Sequence, residues 1–348
     1  MTLNTRIKVS VIIKALNEEH KIASTIESAL RAISAVGGEV ILADSLSTDR
    51  TIAIASQYPI KIVQLSNPGE RCCGIGGQLG YQCVSGEYIW IVDGDMVLAQ
   101  GFIEDALKYL DADPSLAGVG GRVVEKNLES LEFRARLSRA PENLRPGVVD
   151  RLDGGGVYKR SAIKSVGYFT NRNLHSYEEY ELAARLRSGG WLLKRINVES
   201  VSHYGHKIEA YALLRRRCNS GYILGIGELL KSAIGQPHLT LVLHEVRELR
   251  LYTIVVLWWI SLTFSLLGIA SDVIGSQLAA ALVLVSPFAV MAIKKKSIST
   301  AIYSVISWNF YTFGLILGLL KRQYAPATEV LSKPIQSIAE SNVSSKSM

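Results

Sequence analysis

Disulfide scaffolding is missing from this chain. Its four cysteines (Cys72, Cys73, Cys83, Cys218) form no evenly spaced framework, and no C-x-x-C occurs. A cystine-stapled small fold and a structural zinc site are therefore poor readings, and reduced cytosolic thiols are the simple one. Residues 1–10 hold no apolar core of the signal-peptide kind, so secretion is not expected. Charge is also sparse. Charged residues make up 20% of the 348 positions and hydrophobic residues 48%, too apolar a balance for a disordered chain. A basic domain facing nucleic acid is excluded by where the charge lies. Residues 1–206 carry 24 basic and 24 acidic side chains, so the net +7 arises wholly beyond them. Positive excess confined to the C-terminal part suits a collar beside a membrane.

Three uncharged apolar runs occupy residues 251–270, 277–293 and 300–320. Each falls within the roughly 17–25 residues that a membrane-spanning helix needs. Lysine and arginine near the ends of such runs set orientation. Arg247 and Arg250 precede the first run, and Lys294, Lys295 and Lys296 follow the second. Those flanks put residues 1–250 and the lysine triplet in the cytosol. Lys321 and Arg322, after the third run, then fall on the wrong side. Either the rule fails there or one run is re-entrant. The expected organisation is a globular domain over 1–206, a basic juxtamembrane or interfacial segment over 207–250, three transmembrane helices over 251–320, and a disordered Ser-rich tail over 321–348.

Strand and helix signals alternate over residues 1–206. Residues 8–14 (KVSVIIK), 39–44, 60–65 and 88–92 (YIWIV) read as strands; 18–35, 49–57 and 76–84 read as helices. This β-α-β-α order predicts an α/β fold with a mostly parallel sheet, whose ligands collect at the carboxyl ends of the strands. Polar clusters fall at those ends. The first strand runs into Asn17-Glu18-Glu19, the second ends at Asp44 before Ser47-Thr48-Asp49, and the fourth ends at Asp93-Gly94-Asp95. Two carboxylates around a glycine, directly after a buried strand, suit Mg²⁺ or Mn²⁺ bound to a diphosphate. A D-x-D triplet alone is a weak signal; its position after YIWIV strengthens it. Downstream, Asp153-Gly154-Gly155-Gly156 leads to Glu178-Glu179 at the start of a helix, where the macrodipole favours acids.

The order Asn17-Glu18, Asp44-x-x-Ser47-Thr48-Asp49, Asp93-x-Asp95, Glu178-Glu179 resembles the family 2 glycosyltransferases of GT-A fold. Gly86-Glu87-Tyr88-Ile89, Gly155-Gly156-Val157-Tyr158 and Val166-Gly167-Tyr168-Phe169 are similar to further family segments, and the resemblance covers roughly residues 8–206. It implies a Rossmann-like GT-A catalytic domain followed by an all-α transmembrane region. It further implies that Asn17 and Glu18 line the nucleotide pocket, that Asp44 accepts from the base, that Asp93 contacts ribose or metal, and that Asp95 ligates the metal. Glu179 takes the place of the general base, usually aspartate, and Glu178 braces the neighbouring loop. The family's Arg-Asn pair is replaced by Gly77-Gln78, which leaves Arg71 as the candidate phosphate contact.

His203 matches a histidine often found after the base. Arg215, Arg216 and Arg217 stand where processive synthases carry Q-x-x-R-W, but here Leu214 and Cys218 flank them and no Gln or Trp is present. That departure implies a single transfer and not polymerisation. The same arginines also read as juxtamembrane charge meeting anionic lipid. The expected activity is an inverting, Mg²⁺- or Mn²⁺-dependent transfer from a nucleotide diphosphate sugar to a lipid-linked sugar, in a membrane protein whose catalytic domain faces the cytosol. The alternatives are a polyprenyl-phosphate sugar synthase and, more distantly, a non-catalytic nucleotide-sugar sensor.

Overall fold

A computed structural model describes residues 8–126, 142–204, 209–271 and 273–336. The chain divides into two units, residues 1–208 with 323–348, and residues 209–322.

The first unit is built on strands β1 (Val9–Ala15), β2 (Gly38–Asp44), β3 (Lys61–Leu65) and β4 (Tyr88–Asp93), with helices α1 (Ile22–Ile33), α2 (Thr51–Ala55) and α3 (Cys73–Tyr81) between them. β2, β3 and β4 join β1 in the parallel order β3-β2-β1-β4. Both faces of this half are covered, which is why its strands are near-continuous apolar runs. Val9, Val11 and Ile13 of β1 enter one core with α1, while Ile12 enters the other with Ile75 and Leu79 of α3. Gly80 permits that second contact, because a Cβ there would collide with Ile12.

Beyond β4 the chain adds β5 (Met96–Leu98), α4 (Phe102–Ala112), β6 (Leu116–Glu125), β7 (Gly147–Val149), β8 (Gly156–Lys159), α5 (Arg160–Ser165), α6 (Glu178–Ser188) and β9 (Leu192–His203). β8 runs antiparallel to β4 and β6, and β5 and β7 antiparallel to β9; β6 and β9 are parallel. The sheet is thus mixed, and the parallel pattern expected from the sequence holds over β1–β4.

The expected disordered tail is corrected over residues 323–336. β10 (Ser332–Ile335) joins the same sheet, antiparallel to β3. Arg172 donates to the carbonyls of Thr328 and Glu329 at 2.9 and 2.8 Å. Gln82 and Val330 exchange two hydrogen bonds, as do Asn173 and Tyr324. These anchors are polar side chains distant in sequence, so the tail's own composition gives no sign of them. Residues 337–348 lie outside the described residues.

The second unit is helical: α7 (Ala210–Asn219), a 3-10 turn (Tyr222–Leu224), α8 (Gly225–Ala233), α9 (Leu239–Glu245), α10 (Arg247–Ala270), α11 (Ser276–Lys295) and α12 (Ile298–Leu320). α10, α11 and α12 are long and apolar enough to cross a membrane. The basic segment expected over 207–250 folds, among the described residues, into α7, α8 and α9.

Candidate active site

The turns that follow β1 and β2 are stitched together. Asn17 adopts φ 59°, a left-handed conformation that asparagine tolerates. Its amide donates to Ser47 Oγ at 2.8 Å, and its Oδ1 accepts from the Thr48 amide at 2.7 Å. The Glu18 amide donates to Thr51 Oγ1 at 2.8 Å. Asp44 is fully buried and accepts from the Ser47 amide at 2.9 Å, from the Ser47 hydroxyl, and from Gln64 Nε2 at 2.9 Å. Its carboxylate therefore shapes the turn with most of its acceptor capacity. Arg71 donates from Nη2 to the Leu46 carbonyl at 3.0 Å, and its buried Nε has no hydrogen-bond partner among the described residues. Asn17, Asp44 and Arg71 are thus gathered around one pair of turns.

Asp93 and Asp95 diverge. Asp93 pairs with Lys14 at 3.0 Å, and Lys14 also reaches Glu178 Oε1 at 3.4 Å. The sequence reading passed over Lys14. Its signal was a cation alternating with apolar residues on a strand buried on both faces, in parallel register with Asp93. Burial pulls the Lys14 ammonium down, but Asp93, Glu178 and Glu179 outweigh that and hold it well above its ordinary value.

Asp95 lies 3.2 Å from His203 Nε2. The pairing of β5 with β9, Met96 opposite His203, brings them together. His203 Nδ1 lies 2.7 Å from Glu125 Oε2, a second contact that sequence reading missed. Burial lowers the imidazole's affinity for a proton, but Asp95 and Glu125 raise its pKa to about 10.

The two acids at the start of α6 take different partners. Tyr177 precedes them at φ 69°, so the chain turns sharply into the helix. Glu178 faces Lys14. Glu179 sits 3.4 and 3.3 Å from the amides of Gly154 and Gly155. Gly155 itself, at φ +93°, leaves no room for a Cβ beside the Ile91 carbonyl. Burial first, then the Asp153 carboxylate, pushes the Glu179 pKa up to about 8. The helix is docked by a buried pair: Arg185 meets Glu181 at 2.9 Å and donates to the carbonyls of Val166, Tyr168 and Phe169. Arg215, Arg216 and Arg217 belong to the helical unit.

Residues 10–167 match the family model Glycosyl transferase family 2. Over those residues, fewer than half of the 348, the chain resembles the family 2 glycosyltransferases. EpsE of Bacillus subtilis is 28% identical over 201 residues, covering 54% of this chain and 70% of that protein. The poly(ribitol-phosphate) beta-N-acetylglucosaminyltransferase TarS of Staphylococcus aureus is 26% identical over 184 residues, 49% of this chain and 31% of TarS. The chain therefore spans under a third of the length of that relative. Among solved structures, the mannosyltransferase PcManGT of Pyrobaculum calidifontis, in complex with GDP-Man and Mn²⁺, has a TM-score of 0.57 at 20% identity, covering 91% of this chain and 88% of that one. These likenesses establish the GT-A fold.

That resemblance raises the question of a divalent cation. Among the described residues, no group of three or more His, Cys, Asp and Glu side chains is gathered as a metal site. Two donors are in place, however. Neighbouring ligands of an octahedral ion held at about 2.1 Å stand about 3 Å apart, and Asp95 Oδ2 and His203 Nε2 are 3.2 Å apart. Mg²⁺-type ions commonly take few protein ligands and fill the remainder with phosphate oxygens and water. The Asp95–His203 pair fits that pattern once the imidazole gives up the proton that Asp95 and Glu125 stabilise, since a metal-bound histidine is neutral.

Proposed function

We propose that this protein is a membrane-anchored inverting glycosyltransferase. It transfers a sugar from a nucleoside diphosphate sugar to a hydroxyl of a lipid-linked sugar, with its catalytic domain in the cytosol. The observation that carries the reading is Glu179, a partly buried carboxylate with its pKa raised to about 8, beside the amides of Gly154 and Gly155. A base works best when its pKa lies near the working pH, and a hydroxyl acceptor needs one. An acceptor already ionised, such as a polyprenyl phosphate, does not.

Each residue then has a task. Asn17, Glu18 and Asp44 shape the turns that receive the nucleoside, and Arg71 lies against them as the phosphate contact. Asp95 and His203 would hold a Mg²⁺ or Mn²⁺ ion, which supplies charge neutralisation for the departing diphosphate. Asp93 would meet ribose or metal, and Lys14 fixes Asp93 and Glu178 in place. Glu179 takes the proton from the acceptor hydroxyl as its oxygen attacks the anomeric carbon. Direct displacement inverts that carbon. That PcManGT was solved with GDP-Man and Mn²⁺ supports a donor and cation of these classes.

The experiment is a donor and acceptor screen on membranes containing the full chain. Release of nucleoside diphosphate should require a divalent cation and a lipid-linked sugar. Release that occurs with a polyprenyl phosphate and not with a lipid-linked sugar would replace this reading with the synthase alternative.

A further inference from the structure

The helical unit begins at residue 209 and ends at residue 322, and the chain on both sides of it belongs to the catalytic unit. The return is immediate. Tyr324 already exchanges hydrogen bonds with Asn173, and β10 is a strand of the catalytic sheet. A hydrocarbon layer about 30 Å thick cannot lie between Arg322 and Tyr324. If the unit is embedded, both of its ends lie on one membrane face. The number of crossings is then even, while three helices have the length to cross.

The contacts of α12 set it apart. α7 runs beside it. Tyr303 donates to the Ala210 carbonyl at 3.2 Å and meets the Tyr211 ring edge-on, and Arg217 donates to the Tyr311 hydroxyl at 3.2 Å. α7 carries Arg215 and Arg216 exposed to solvent. A helix bearing three arginines does not sit among acyl chains, and it holds its neighbour at its own depth. Further along, α8 and the turn before it press on α12 through glycines. A Cβ at Gly314 or Gly318 would strike the carbonyl of Ile223 or Leu224. Lys321 pairs with the buried Glu228 at 3.2 Å, and Lys231 donates to the Lys321 carbonyl at 2.6 Å.

Exposed apolar side chains agree. On α12 these are Ile298, Ile302, Phe310, Phe313, Leu317 and Leu320. At about 100° per residue they fall within one arc of about 120°. On α11 the exposed set includes Leu278, Leu282, Leu284, Val285, Val290 and Ile293, which spreads around most of the circumference. One exposed apolar face, with the rest covered by α7, α8 and the end of α11 around Phe288 and Met291, suits a helix lying in the membrane surface, and such helices commonly reach 20–30 residues.

From these observations we infer that the chain crosses the membrane twice, through α10 and α11. α12 lies in the headgroup layer with α7 and α8, and presents Arg215 and Arg216 to anionic lipid. The inference rests on the membrane reading above. It also removes the conflict in the flanking charges. Arg247 and Arg250, Lys294–Lys296, and Lys321 with Arg322 all fall on one face, as the positive-inside rule requires.

The test uses the full chain with single added cysteines, Ser271→Cys between α10 and α11, Ser299→Cys at the start of α12, and Ala325→Cys in the tail. Each is treated with a membrane-impermeant maleimide in sealed vesicles of both orientations, and wild-type labelling is subtracted. Ser271→Cys should react on one face only, and Ser299→Cys and Ala325→Cys on the other only. Ala325→Cys reacting on the same face as Ser271→Cys would mean three crossings and would overturn the inference. Ser299→Cys reacting on that face would overturn it too, since α11 would then not cross. Release of the protein by alkaline carbonate would overturn the membrane reading itself, a failure distinct from a wrong count of crossings.

Discussion

Glu178 and Glu179 are adjacent in the chain yet hold different partners, the Lys14 ammonium for one and the amides of Gly154 and Gly155 for the other. Glu178 is neutralised by a cation. Glu179 is partly buried beside another carboxylate, Asp153, and only weak amide contacts and the Lys14 charge offset its own. Environment thus divides two identical side chains into a brace and a candidate base.

The first consequence is a pH dependence. Glu179 acts only when ionised, so transfer should rise with pH up to about 8 and fall below it. Lys14 is one of the groups that lowers the Glu179 pKa. Lys14→Met should therefore move the acidic limb to higher pH. The same shift bears on stability. Between its unfolded pKa near 4.5 and its folded value of about 8, the folded state holds a proton that the unfolded state has lost. Glu179's contribution to stability is then fully present below 4.5 and is lost as pH rises through 8. A pH–rate profile with no limb above pH 6 would contradict the assignment.

Glu125 should matter to metal binding without touching the metal. It lies 2.7 Å from His203 Nδ1 and so fixes which way Nε2 points. Glu125→Ala should weaken Mn²⁺ affinity by about 10–100-fold, the usual effect of losing such a partner. Glu125→Gln should recover part of it. Mn²⁺ titration followed by electron paramagnetic resonance reads this directly, and unchanged affinity in Glu125→Ala would refute it.

Arg185 and Glu181 are buried at 7% and 0% exposure of their side chains and pair at 2.9 Å. Removing one partner strands a buried charge, at a cost of about 3–5 kcal/mol. Arg185→Met should lower the unfolding midpoint of the purified protein clearly, and Ser188→Ala, at an exposed position of the same helix, should not.

Much of this is legible in the sequence. The strand ends at Asn17, Asp44 and Asp93 could be read because a strand buried on both faces is an apolar run, and the first polar residues after it mark its carboxyl end. Asp95 and His203 could be named separately but not joined, because the antiparallel pairing of β5 with β9 is a tertiary fact. Lys14 was hidden by its own strand, where a single cation among apolar residues reads as an edge. The tail's Ser-rich composition reads as disordered because its anchors, Arg172, Gln82 and Asn173, lie far away in sequence.

The tail offers its own check. Truncation after Arg322 would uncover β3 as a bare sheet edge and strip the carbonyl acceptors from Arg172. The shortened protein should be less stable and more prone to aggregate. Thermal unfolding with light scattering measures both, and a truncation as stable and as soluble as the full chain would contradict this.

The measurement that bears most directly on the account is single-turnover transfer by Glu179→Gln beside Glu178→Gln, with donor binding measured on the same samples. Glutamine keeps the shape of glutamate but accepts no proton. Glu179→Gln should bind donor normally and transfer about 10²–10⁴-fold more slowly, and Glu178→Gln should lose less. Transfer by Glu179→Gln at the wild-type rate would contradict a base at this position and leave an acceptor that needs none.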